Sequence, residues 1–101
     1  MIEITRYKSE IRLNGHAGYA ERGNDIVCAA VSALVQTLIY SLEEMAIDKI
    51  EIPTENNQIR SIKYRDLSTT AMLLVNSFFI GVNMIAENFP ENVKVIEDHF
   101  K

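Results

Sequence analysis

The chain has 101 residues, of which 48% are hydrophobic and 24% charged, with a net charge of −4. That length and balance fit one globular domain over residues 1–101 and exclude a disordered chain. The acidic total argues against direct nucleic-acid binding, while the single cysteine excludes an internal disulfide and fits a reducing, cytoplasmic setting.

Ile2 and Ile4 alternate with Glu3 and Thr5, the pattern of a half-buried strand. A polar turn at Lys8-Ser9-Glu10 leads to a second strand, where Ile11 and Leu13 alternate with Arg12 and Asn14. These two form a hairpin that runs into Gly15-His16. From Ile26 to about Met45 there is no Gly or Pro, and Asn24 and Asp25 before it are good N-cap residues. The spacing predicts a helix apolar on nearly every side, which marks a central helix or one packed on a partner. Residues 48–51 alternate again, Pro53 to Asn57 read as a turn, and Gln58 to Arg65 read as the returning strand with Ile62 and Tyr64 on its core face.

Ser68 is the expected N-cap of a second helix that runs to about Asn88. Its apolar positions, among them Met72, Val75, Phe78, Phe79, Val82 and Ile85, exceed one narrow stripe. Gly81 in mid-helix suggests a close helix crossing or room for a ligand. Pro90 stops the helix, and Val93 to Ile96 close the chain as an edge strand, with His99 in an exposed tail. The two apolar runs are interrupted by polar residues and fall short of the about 20 largely apolar residues of a membrane span, so both read as buried helices. No signal peptide is evident. The order β-β-α-β-β-α-β defines an α+β fold, an antiparallel sheet of four or five short strands beside two long apolar helices. Two such helices carry more apolar surface than this sheet hides, so a homodimer is expected.

The chemistry concentrates in one stretch, Gly15-His16-Ala17, a glycine-containing loop, then Asp25-Ile26-Val27-Cys28-Ala29-Ala30-Val31-Ser32. With Asp25 as cap, Cys28 falls in the first helical turn, near unpaired N–H groups at the positive end of the macrodipole. That field favours the thiolate, the attacking form of cysteine. Asp25 carries the opposing charge, so a nearby cation would help, and His16 is the candidate. Twelve positions separate His16 from Cys28, so only a bend of the chain unites them; Gly15 permits it. Gly18 and Gly23 let the intervening loop move and cover the site. Ser32, four residues beyond Cys28, shares its helix face. The N–H groups of Cys28 and Ala29 are candidates for stabilising an oxyanion. One cysteine and two distant histidines do not make a zinc set, and no phosphate loop is present, so neither metal nor cofactor is expected.

This block resembles the ribosomal-processing cysteine protease family, Prp. The resemblance extends to the second apolar run, Ser77 through Phe89, and to Val93-Lys94-Val95-Ile96. It implies Cys28 and His16 as the catalytic pair, with Asp25 and Ser32 in support and Gly15 and Ala29 beside them. It implies a cysteine endopeptidase that removes a short N-terminal extension from large-subunit ribosomal protein number twenty-seven, or that trims a phage structural protein through a similar hydrophobic motif. The partner would then be a protein substrate. The alternatives are a non-catalytic module of the same fold that holds a protein terminus, and a small RNA-associated protein.

Overall fold

The structure, a computed structural model, describes residues 1–21 and 23–97; His99 lies outside them. The elements in chain order are β1 (Ile2–Tyr7), β2 (Glu10–Asn14), α1 (Ile26–Met45), β3 (Ile50–Glu51), β4 (Thr54–Glu55), β5 (Gln58–Ile59), β6 (Ser61–Tyr64), α2 (Thr69–Asn88) and β7 (Val93–Ile96). Five strands form one sheet in the order β3-β6-β2-β1-β7, and β4 pairs with β5 in a separate ribbon.

The alternation in the first hairpin translates directly into packing. Ile2 and Ile4 of β1 and Ile11 of β2 are buried, and they join Ile62, Tyr64 and Val93 in one core with the helices. Each helix contributes a stripe to that core: Val27, Val31, Val35, Leu38, Ile39 and Leu42 from α1, and Ala71, Val75, Phe78, Phe79, Val82 and Ile85 from α2. Both helices have the length and apolar content of a membrane span, yet each seats one face on this core. They also pack on each other. A Cβ added at Gly81 would stand 2.9 Å from Leu34 Cδ1, so the glycine marks the close crossing expected for it.

Both helix starts are capped as the sequence indicates. Asp25 accepts from the N–H groups of Val27 and Cys28, and the Ser68 hydroxyl accepts from Ala71 N–H. Ser68 is itself anchored, because its N–H (2.8 Å) and its hydroxyl both donate to the Asp48 carboxylate. The hydroxyl bond, followed by the N–H bond, holds the Asp48 carboxyl below the usual carboxylate range.

Two expectations need correction. The sheet is mixed, not antiparallel throughout, because β7 runs parallel to β1 with Ile2 opposite Val93 and Ile4 opposite Val95. The reason is topological. A helix between two strands of one sheet returns the chain to its starting end, so β6 and β7 run the same way on either side of α2. A part-buried cluster around the buried Arg6 lies at that edge: Arg6 reaches Glu97 (3.3 Å) and Asn76 (2.6 Å) and stacks 4.7 Å from the Phe79 ring, while Asn83 donates to Glu97 (3.1 Å).

The middle segment differs as well. The turn is not Pro53 to Asn57 but the Asn56-Asn57 pair, both with positive φ (52° and 62°), the conformation of a two-residue hairpin loop. Thr54–Glu55 and Gln58–Ile59 flank it as the ribbon, and the returning strand breaks at Arg60. There the backbone leaves the ribbon, Arg60 N–H donating to the Pro53 carbonyl (3.1 Å) and the Arg60 carbonyl accepting from Leu13 N–H (2.8 Å). β3 and β6 still pair antiparallel below the break, Ile50 opposite Tyr64.

At the end of β2 the chain turns under a tight constraint. Gly15 has φ +88°, and a Cβ there would lie 2.2 Å from the Met1 carbonyl oxygen. The clash is with backbone, so no side-chain rotation relieves it. Gly15→Ala is therefore expected to cost at least about 2 kcal/mol, from left-handed strain and the forced displacement of β1 or the bend together. Urea denaturation measures it, and an unchanged midpoint would show that the approach to Met1 is not required.

Candidate active site

The bend at Gly15 delivers His16 and Ala17 to the start of α1. Ala17 is buried, only 2% exposed, and its backbone N–H donates to Cys28 Sγ at 3.3 Å. His16 is exposed, Cys28 half-buried. One peptide unit separates the His16 Cα from the Ala17 nitrogen, so that Cα stands within about 6 Å of the sulfur. An imidazole rooted there has the sulfur in reach. The bend thus brings the backbone at Ala17, next to His16, onto Cys28, eleven positions further along the chain.

Asp25 organises the approach from the other side. Its Oδ1 accepts from Val27 N–H (3.0 Å) and Cys28 N–H (2.9 Å), and its Oδ2 accepts from Tyr19 N–H (3.0 Å) and Ala20 N–H (3.4 Å). One carboxylate thereby joins the helix start to the loop that follows the bend. These four bonds hold the Asp25 carboxyl below its ordinary range, the bond from Cys28 N–H first, against a smaller opposing effect of desolvation. All four are bonds to backbone N–H groups, none of them from His16.

The loop expected to move is tied down at further points. The Tyr19 ring meets Phe89, the C-cap of α2, edge-on with centroids 5.4 Å apart. Asn24 N–H donates to the Glu21 carbonyl (2.9 Å). Asn92, between α2 and β7, donates its side-chain amide to the Ala17 carbonyl (3.0 Å).

The remaining sequence candidates sit as follows. Ser32 lies one turn beyond Cys28 on the helix and is exposed; no side-chain hydrogen bond joins it to Cys28 among the described residues. The pair of N–H groups read as oxyanion donors is already engaged. Cys28 N–H is taken by Asp25 Oδ1, and Ala29 N–H makes the first bond of the helix, to the Asp25 carbonyl at 3.1 Å. Only the N–H groups of the first turn lack helical acceptors, and the cap itself uses that of Cys28. The N–H that faces the sulfur is that of Ala17. Sequence reasoning missed that role, and it missed Asn92, which lies 75 positions from Ala17 in an unremarkable turn after Pro90. No cluster of three metal-ligating side chains occurs among the described residues.

Residues 1–94 match the family "Cysteine protease Prp". The ribosomal processing cysteine protease Prp of Mycoplasma genitalium is 33% identical over 103 residues, covering 100% of both chains. Its namesake from Staphylococcus aureus is 25% identical over 91 residues, 86% of this chain and 84% of that one. Among solved structures, the Staphylococcus aureus protease Prp with a covalently linked product peptide superposes with a TM-score of 0.85. The identity is 23%, covering 96% of this chain and 97% of that one. A Streptococcus mutans protein superposes with a TM-score of 0.73 at 31% identity, covering 96% of this chain and 93% of that one.

The lowered Asp25 carboxyl has a pH consequence. Because the folded value lies below the unfolded one, the unfolded chain binds the proton more readily. The stabilisation is present in full above the ordinary carboxylate range and is lost as pH falls through the folded value. Asp25→Asn removes the charge and turns at least one donor toward the loop. Thermal melts across a pH series are expected to show the variant less stable near neutrality, the gap closing in acid. A gap of constant size at every pH would rule out this carboxylate as the tie.

Proposed function

The chain belongs to the Prp family of cysteine proteases, and on that premise we propose that Cys28 is its nucleophile and His16 its acid–base partner, within one protease domain over residues 1–101. The observation that carries this reading is the Ala17 N–H bond to Cys28 Sγ. It seats the residue after the histidine on the sulfur, although twelve positions separate the histidine from the cysteine in sequence.

The chemistry follows from the groups present. His16 accepts the thiol proton, and the Cys28 sulfur attacks the scissile carbonyl carbon, moving the carbonyl electron pair onto oxygen. Collapse of that oxyanion expels the amine, which takes its proton from His16 and leaves an acyl-thioester on Cys28. His16 then takes a proton from water, whose oxygen attacks the thioester; the acid departs and the thiol is restored. Gly15 and Asp25 shape the bend and its attachment; Ser32 and Ala29 flank the nucleophile on the helix. No cofactor or metal enters the scheme.

The substrate we propose is a protein with a short hydrophobic N-terminal extension. The relatives' name, ribosomal processing protease, supports a ribosomal protein, and the Staphylococcus aureus protease has also been crystallised with a substrate peptide. Within that class we infer large-subunit ribosomal protein number twenty-seven, with a phage structural protein carrying a similar motif as the competing candidate. Such a substrate is made in the cytoplasm, where the protease would meet it. We also propose a homodimer. The outer helix faces leave Tyr40, Leu73, Ile80 and Met84 more than half exposed, and apolar residues in that number on a helical layer support self-association.

Incubation with a precursor bearing the extension tests the chemistry. Cys28→Ala is expected to lower cleavage at least about 10³-fold and His16→Ala about 10²- to 10⁴-fold. Undiminished cleavage by Cys28→Ala ends the nucleophile assignment; precursor binding without cleavage by the wild-type chain favours the non-catalytic module. Sedimentation tests the second proposal. A wild-type dimer that Ile80→Asp converts to monomer supports it, and a wild-type monomer at the highest soluble concentration refutes it.

A further inference from the structure

The sulfur of Cys28 is met by a donor that does not belong to its own helix. The first-turn N–H groups of Val27 and Cys28 are taken by Asp25 Oδ1, and Ala29 N–H is taken by the Asp25 carbonyl. What faces Sγ is the Ala17 N–H at 3.3 Å. A backbone N–H aimed at a thiolate is a charge-assisted donor, about twice as strong as a neutral pair. When the sulfur attacks, the charge moves to an oxygen on the carbon it has just bonded, still in the neighbourhood of the same N–H. Such a donor helps only if it is held in place before reaction.

Two neighbours hold Ala17. Gly15 fixes the approach of the chain against Met1. Beyond Ala17, Asn92 donates its side-chain amide to the Ala17 carbonyl at 3.0 Å. Asn92 is not part of the loop. Its own N–H donates to the Phe89 carbonyl (2.9 Å), and its carbonyl accepts from Ile2 N–H (2.9 Å). The residue is thus built into the junction where α2 ends and β1 and β7 begin, and it reaches from there to the loop. We propose that Asn92 is a positioning residue of the protease, fixing Ala17 so that its N–H stays directed at Cys28 Sγ. The proposal rests on Cys28 being the nucleophile.

Asn92→Asp keeps the size of the side chain but replaces the donor with an acceptor facing the Ala17 carbonyl. Asn92→Ala removes the donor without adding charge and serves where the charged variant does not fold. The expected result is a fall in kcat of about 10²-fold, larger for Asp than for Ala, with KM within about twofold of wild type. Alkylation of Cys28 by iodoacetamide, followed against pH, should shift its midpoint to higher pH in both variants. A merely structural asparagine would lower the melting temperature and leave that midpoint alone. An unchanged alkylation midpoint in a folded variant, or an unchanged kcat, overturns the proposal. Cys28→Ala, run beside them, separates the two failures. If it still cleaves, the nucleophile assignment is wrong; if it is dead while Asn92→Ala matches wild type, only the role of Asn92 is wrong.

Discussion

The site depends on one fastening, the loop at residues 15–17 held against the first turn of α1. Three separate parts of the chain make it. The end of β2 supplies the bend, where Gly15 passes so close to Met1 that no side chain fits. The start of α1 supplies the sulfur that accepts from Ala17 N–H. The link between α2 and β7 supplies Asn92, whose amide holds the Ala17 carbonyl. None of these elements is rigid alone. The shared core of sheet and helices makes them so, because Ala17, Val27 and Val93 are all buried in it. A loop fixed through a close-packed core loses little further entropy when substrate arrives, which is what a preorganised site requires.

The parts of this arrangement that the sequence made legible are those with local chemical causes. Asp25 was readable as a cap because a short acceptor before an uninterrupted helical run has few other roles, and it does cap. Ser68 was readable for the same reason. The alternation of Ile2 and Ile4, and of Ile62 and Tyr64, translated into burial without loss. The proximity of the loop to Cys28 was a different matter. It followed from a family resemblance, since no periodicity reports a contact between a bend and a helix start.

What was not legible has equally definite causes. Alternation says which residues face the core but carries no direction, so the parallel pairing of β7 with β1 was invisible. The break at Arg60 was hidden because residues 58 to 65 alternate through it; what divides the strand is a change of backbone partner, the Arg60 N–H pairing with Pro53 in the ribbon and its carbonyl with Leu13 in the sheet, which no side chain announces. Asn92 escaped because its partner lies 75 positions away. The Cys28 and Ala29 N–H groups expected to meet an oxyanion are engaged for a reason already contained in the cap. An N-cap side chain consumes N–H groups of the first turn, and the next N–H begins the helical ladder, so a capped helix start offers Cys28 and Ala29 little to give away.

The Asp25 carboxylate sits beside the sulfur proposed as the nucleophile, and its bonds explain how it can. Taken alone, Asp25 would oppose a thiolate by simple repulsion and cancel what the helix start provides. In the structure its charge is spread over four backbone donors, two in the helix and two in the loop. Each donor withdraws some of the field that would otherwise reach Cys28. The same bonds draw Tyr19 and Ala20 toward the helix and steady the chain just beyond Ala17. The carboxylate is therefore tolerated because it is occupied, and it is occupied because the site needs the loop attached. An amide at the same position would lack the acceptors to serve both sides, which gives a physical reason for an acid at residue 25 where electrostatics alone would argue against one.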